Sequence, residues 1–148
     1  MLVAVDTTAL VSVIFGRVYQ DAAGQPIRDV LTAALASPAA ETRIVHAATL
    51  NKATPPPPFL AFRRGPMPTI ERSIIAAYAY WYLYASPEQM YWDINTLIKP
   101  FATAYNAAVH PLIFNGAPLG QVDMLIGEER ADNALHLLMT QITLTVYC

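Results

Sequence analysis

Cysteine is almost missing from this chain: the only one in 148 residues is Cys148. A single thiol closes no internal disulfide and builds no cysteine metal cluster, so burial and hydrogen bonding must hold the fold, and synthesis in a reducing compartment is compatible. Glycine is scarce, with six residues and no G-x-G-x-x-G or P-loop arrangement, which excludes the common phosphate cradles. Histidine occurs three times, as His46, His110 and His136, and their separation leaves no H-x-H or H-E-x-x-H metal motif. Charged residues make up 14%, against roughly a quarter in an ordinary domain. The net charge is −2, which argues against a dedicated nucleic-acid binder, normally marked by a basic face.

Long apolar runs are lacking too. A spanning helix needs about 20 consecutive apolar residues. The uncharged stretch 100–122 is broken by Pro111, Asn115, Gly116, Pro118 and Gly120, and the stretch 73–87 is too short. The start, Met1-Leu2-Val3-Ala4-Val5-Asp6, lacks the basic opening of a signal peptide. Yet 55% of the residues are hydrophobic and the mean hydropathy is +0.34. Contacts between protein subunits are the expected cover for that surplus. Glu128, Glu129 and Asp132 could offer oxygens to a divalent cation, but a solvated hairpin tip explains them with fewer assumptions. A hydrolase triad meets only in space and leaves no mark here. The expectation is a protein that is not an enzyme, with no catalytic residue, no cofactor and no required metal.

What is present is concentrated between Ser73 and Tyr105. In Ser73-Ile74-Ile75-Ala76-Ala77-Tyr78-Ala79-Tyr80-Trp81-Tyr82-Leu83-Tyr84, strand alternation puts Tyr78, Tyr80, Tyr82 and Tyr84 on one face and Ile75, Ala77, Ala79, Trp81 and Leu83 on the other. Small Ala77 and Ala79 leave room for a helix to dock. Four tyrosines with apolar rings and polar tips suit a subunit contact; a core strand within one monomer is the plainer alternative. Ser86-Pro87-Glu88-Gln89 reads as a capping box with proline at the first helical position. Met90, Ile94, Leu97, Ile98, Phe101 and Tyr105 then form one helical stripe. Pro100 predicts a kink, or a break followed by a second short helix to about Asn106.

On either side the pattern is simpler. Asp6 or Thr7 can cap a helix carrying Leu10, Val13, Ile14 and Val18, although β-branched Val11, Val13 and Ile14 keep a strand over 11–19 open. Residues 27–35 repeat as an amphipathic helix, 42–50 read as a strand or extended arm, and Pro55–Pro58 deliver the chain into a strand at 59–63. A loop over 64–72 follows, and Arg63, Arg64 and Arg72 around it are candidate docking residues for carboxylates on a partner. The strand 59–63 is expected antiparallel to the tyrosine strand. Residues 110–120 look like loop, 121–128 and 138–147 like strands, and 128–133 like a polar connection. Together these predict one α+β domain over 1–148. It has an antiparallel sheet of about four to five strands, one principal helix packed on it and an N-terminal helical segment.

This order of elements resembles the tail terminator and tail-completion proteins of long-tailed bacteriophages, which are similar to tail-tube and head–tail joining proteins. The likeness lies in the early helix 27–35, the strand entered through Pro58-Phe59-Leu60-Ala61-Phe62, the arginine-bearing loop, and the tyrosine strand. From there a capped turn leads into helix 88–99, and strands 121–128 and 138–147 close the chain. The long apolar N-terminus departs from the pattern. The resemblance implies a virion protein made in the host cytoplasm. It would form a ring, commonly hexameric, that caps the tail tube, joins it to head–tail connector proteins and lets DNA through the lumen without sequence readout. A cellular oligomeric binding module or adaptor and a small α+β enzyme are the rival classes.

Overall fold

An eleven-residue strand, Ile75–Ala85, lies at the centre of the sheet and organises everything around it. The computed structural model describes residues 7–33, 43–50, 52–66, 75–87 and 90–147. In chain order the elements are α1 (Thr7–Tyr19), α2 (Gln25–Ala33), β1 (Ile44–His46), β2 (Phe59–Arg64), β3 (Ile75–Ala85), α3 (Met90–Ala104), β4 (Ile113–Phe114), β5 (Ala117–Pro118), β6 (Gln121–Asp132) and β7 (Leu137–Tyr147). The main sheet runs β1-β2-β3-β7-β6, while β4 and β5 form a separate hairpin.

The chain is α+β, but the sheet is mixed where an antiparallel one was expected: β1 runs parallel to β2, and all other neighbours are antiparallel. Parallel neighbours cannot be joined by a tight hairpin. Residues 47–58, a 3-10 turn at Ala47–Thr49 and then the prolines, carry the chain back to start β2 alongside β1. The bond between Pro57 and Pro58 is cis, and the Pro58 carbonyl accepts a hydrogen bond from buried Arg43 at 3.4 Å.

Alternation decides which side chains of β3 meet the helices. Ala77, Ala79, Trp81 and Leu83 are buried in one core with Leu10, Ile14 and Val18 of α1, Ile27 and Leu31 of α2, and Leu97 and Phe101 of α3. The small alanines let α1 approach, and Phe15 stacks on Trp81 with 5.7 Å between ring centroids. Residues 7–19 therefore resolve as helix. Leu10, Ile14 and Val18, one turn apart, are fully buried, and this stripe outweighs the strand preference of the branched residues. In the predicted stripe of α3, Leu97, Phe101 and Tyr105 are buried and Ile98 is half-buried; the side chains of 90–95, and Gln89 of the capping box, lie outside the described residues, as do Ala34 and Leu35 of the predicted second helix.

Three expectations change. Of the kink or break expected at Pro100, the break does not occur, since α3 runs continuously through it. Loss of one backbone bond costs about 3 kcal/mol in a helix interior, and burial of Leu97 and Phe101 on either side offsets it. The stretch 110–120 is not all loop: Asn115 and Gly116, with φ of 52° and 78°, turn a hairpin of β4 and β5, as such a pair does where both central residues need positive φ. The polar stretch 128–132 belongs to β6, whose pairing with β7 shifts between Ile126 and Glu129, so that Gly127 and Glu128 oppose Gln141 in a bulge.

Two buried arginines, neither marked by any local sequence pattern, fasten the helical layer. Arg17 donates to the carbonyls of Ala104 and His110, both at 2.7 Å, and of Pro111 at 3.0 Å, and pairs with Asp21 at 3.2 Å. Arg28 donates to the carbonyls of Val18 at 2.7 Å and Asp21 at 2.6 Å. Each guanidinium answers one carbonyl in the last turn of a helix, Ala104 for Arg17 and Val18 for Arg28. Gly24 is buried in the turn between α1 and α2, where a Cβ would run into the Arg17 carbonyl, so only glycine permits this approach.

The sheet and two helices share one polar relay. The Trp81 indole donates to the Tyr105 hydroxyl at 2.7 Å, which donates to the Ile14 carbonyl at 2.8 Å. Burial holds the Tyr105 phenol well above its ordinary pKa. Tyr105→Phe removes one oxygen and orphans the buried indole N–H, so urea unfolding should show a loss of about 1–3 kcal/mol. Adding Trp81→Phe should then cost less than it does in the wild type, because the two side chains act as one unit.

Candidate interaction face

Beyond the helix-covered side, the even-numbered residues of β3 face a second cluster. Phe59, Ala61, Tyr82 and Tyr84 are buried there, with Val45, Leu50, Tyr80, Leu135, Leu137 and Met139 packed against them. Among the described residues the three helices all pack on the opposite face, so this one is covered only by the turn after β1 and the tip of the β6–β7 hairpin. The cover is uneven. Tyr82 and Tyr84 retain 8% and 7% of their surface, whereas Tyr78 and Tyr80 stay half-exposed.

The closed end is pinned by a carboxylate. Tyr84 stacks on Phe59 with centroids 4.7 Å apart and donates its hydroxyl to Asp132 Oδ2 at 3.4 Å. The Leu135 N–H donates to Asp132 Oδ1 at 3.1 Å. Asp132 thus straps the hairpin tip down over the sheet. Burial first, and the Asp132 charge second, push the Tyr84 pKa up to about 12; burial also raises that of Tyr82, with the Arg63 charge opposing.

At the open end the Arg63 guanidinium lies 5.3 Å from the Tyr80 ring centroid and 5.6 Å from that of Tyr82, within the reach of a cation–π contact. Register aligns Arg63, Tyr80, Thr143 and Leu125 in one row across β2, β3, β7 and β6. An open pocket of about 350 Å³ lies beside it, lined by Ala47, Leu50, Arg63, Tyr82, Tyr84, Asp132, Ala134 and Leu135. A larger groove of about 780 Å³ between the α1–α2 turn and α3 has Lys99 and His110 as its titratable lining side chains among the described residues.

The sheet ends in β6, twelve residues long. Its outer backbone groups have no neighbouring strand among the described residues, and an exposed edge of this length is a template for pairing. Leu125 is 69% exposed on the tyrosine face and Ile126 39% exposed on the other.

The tyrosines predicted as a subunit contact therefore share one face but not one environment: Tyr82 and Tyr84 are packed within the monomer, and Tyr78 and Tyr80 keep free surface. Arg63 ends the expected strand, and Arg64 lies in β2 as well and not in the loop, because β2 continues through its pairing of Arg64 with Ala79. Alternation places Arg63 with the tyrosines and Arg64 on the helix side, and Arg72 lies outside the described residues. Asp132, expected at a solvated hairpin tip, is instead tied to Tyr84 and to the Leu135 N–H. The spacing of an aspartate three residues before a backbone donor in a tight turn is the signal that could have found the strap. The His46 ring stacks on Phe15 at 4.6 Å, and no three His, Cys, Asp or Glu side chains gather to hold a metal among the described residues.

Between about pH 10 and about 12 the Tyr84 phenol ionises in the unfolded chain before it does so in the folded one, so stability should fall as pH rises through that window. Urea midpoints measured across it should decline, and Tyr84→Phe should make the decline shallower while lowering stability at neutral pH.

In comparisons with known proteins, no family model, no curated protein and no solved structure matches the chain.

Proposed function

We propose that this chain is a structural subunit that closes into a ring, and that the ring caps the tail tube and joins tail to head in a long-tailed bacteriophage. The observation that carries the reading is the half-covered sheet. One face is filled by helices, while the other leaves Tyr78, Tyr80, Arg63 and Leu125 accessible beside a long open edge. A face and an edge at different places on one subunit suit a heterologous contact, which yields a ring when its rotation closes. The surplus of apolar residues and the small share of charge fit burial between copies. The run α2, β2, β3, α3, β6, β7 follows the order on which the likeness to tail terminators rests. A net charge of −2 suits a lumen that lets DNA pass without holding its phosphates. Tail-tube and connector proteins are the partners on this reading, and the chemistry of the ring is passive.

Native mass spectrometry and negative-stain images of the purified chain should show rings, alone or on added tail tubes. A chain that stays monomeric at high concentration and ignores tubes sinks the proposal. Tyr80→Glu should weaken assembly and leave the monomer folded. Tyr82→Glu should instead destabilise the monomer, because it puts a carboxylate where Tyr82 retains only 8% of its surface.

A further inference from the structure

We propose that the Arg63 pocket of one copy receives the Leu125–Glu129 stretch of β6 from the next copy, an inference that rests on the ring reading above and names its contact. The pocket holds two charges, Arg63 and Asp132, and only Arg63 is open to a guest. Asp132 is occupied by the Tyr84 hydroxyl and the Leu135 N–H, whereas Arg63 is exposed and its guanidinium is backed only by the rings of Tyr80 and Tyr82. It makes no ion pair among the described residues. Its neighbours in the pocket, Leu50 and Leu135, are apolar. The occupant that fits is a carboxylate next to a large apolar side chain.

The same chain presents such a segment. Leu125 and Ile126 are the exposed large hydrophobics of β6, and Glu128 and Glu129 follow, both exposed. The bulge at Gly127 and Glu128 lifts this part of the edge out of the regular ladder. A copy cannot fill its own pocket this way. β2 and β6 are three strand spacings apart in one sheet, roughly 14 Å, with β3 and β7 between them. Donor and receptor therefore belong to different copies, and because Arg63 and Leu125 lie on different strands of one subunit the contact is head-to-tail and can repeat. Desolvation of the Arg63–carboxylate pair by Leu125 would strengthen it beyond an exposed surface pair.

The test is a charge exchange, with particle mass as the readout. Arg63→Glu should raise the concentration needed for assembly roughly tenfold or more, and Glu128→Arg with Glu129→Arg should do the same. Circular dichroism and urea midpoints of both variants should match the wild type, since none of the three side chains is buried. The two variants mixed should co-assemble, and a chain carrying all three changes should assemble alone, because each restores opposite charges across every contact. Variants that assemble like the wild type, or a mixture that stays dispersed, overturn this contact while a ring formed by the wild type still stands. A wild-type chain that never associates overturns both.

Discussion

The hydroxyl of Tyr105 is the point on which the structure turns. It sits in the apolar core between sheet and helices, accepts from Trp81 and donates to the Ile14 carbonyl. A buried polar atom is tolerated only when satisfied, so this oxygen fixes the distance and rotation of α1 and α3 against β3 at once. The aromatic packing follows from it: Trp81 lies against Phe15, Phe62 and Phe101 with centroids 4.9 to 5.9 Å apart. Hydrophobic burial supplies the driving force but little direction. The relay supplies direction.

With a single cysteine and no cluster of metal ligands among the described residues, cross-linking of the helical layer falls to Arg17 and Arg28. Five donors on a rigid fork let one side chain close several carbonyls, and Arg17 reaches α3 and the segment after it from α1. This is a use of charge inside the molecule, in a chain with few charges to spare. On the surface, Glu128, Glu129 and Arg130 form a run of three exposed charges in β6.

The two faces of β3 show how one alternation serves two purposes. Alanines and Trp81 on the helix side allow close approach and fill the core. Tyrosines on the other side tolerate both burial and water, so the same row can be closed at Tyr84 by Asp132 and left open at Tyr78. That gradient makes the face suitable for a partner: the closed end keeps the monomer folded, and the open end keeps apolar area available.

Much of this was legible in the sequence, because local periodicity is a local property. The tyrosine alternation, the stripe through Leu97, Phe101 and Tyr105, and the antiparallel pairing of β2 with β3 follow from side-chain spacing and from the turns between elements. The tertiary structure decided what depends on distant partners. Parallel β1 arises from a long return connection whose destination no local pattern encodes. The continuity of α3 through Pro100 depends on burial that outweighs a local cost. The roles of Arg17, Arg28 and Asp132 depend on carbonyls, a hydroxyl and an N–H that the fold brings to them. Arg63 and Arg64 are adjacent in the chain, and strand alternation sends them to opposite faces once β2 is known to include both. A sequence states what each segment prefers; which buried donors and acceptors meet is settled only when the segments pack, because an unsatisfied polar group costs more than any local preference supplies.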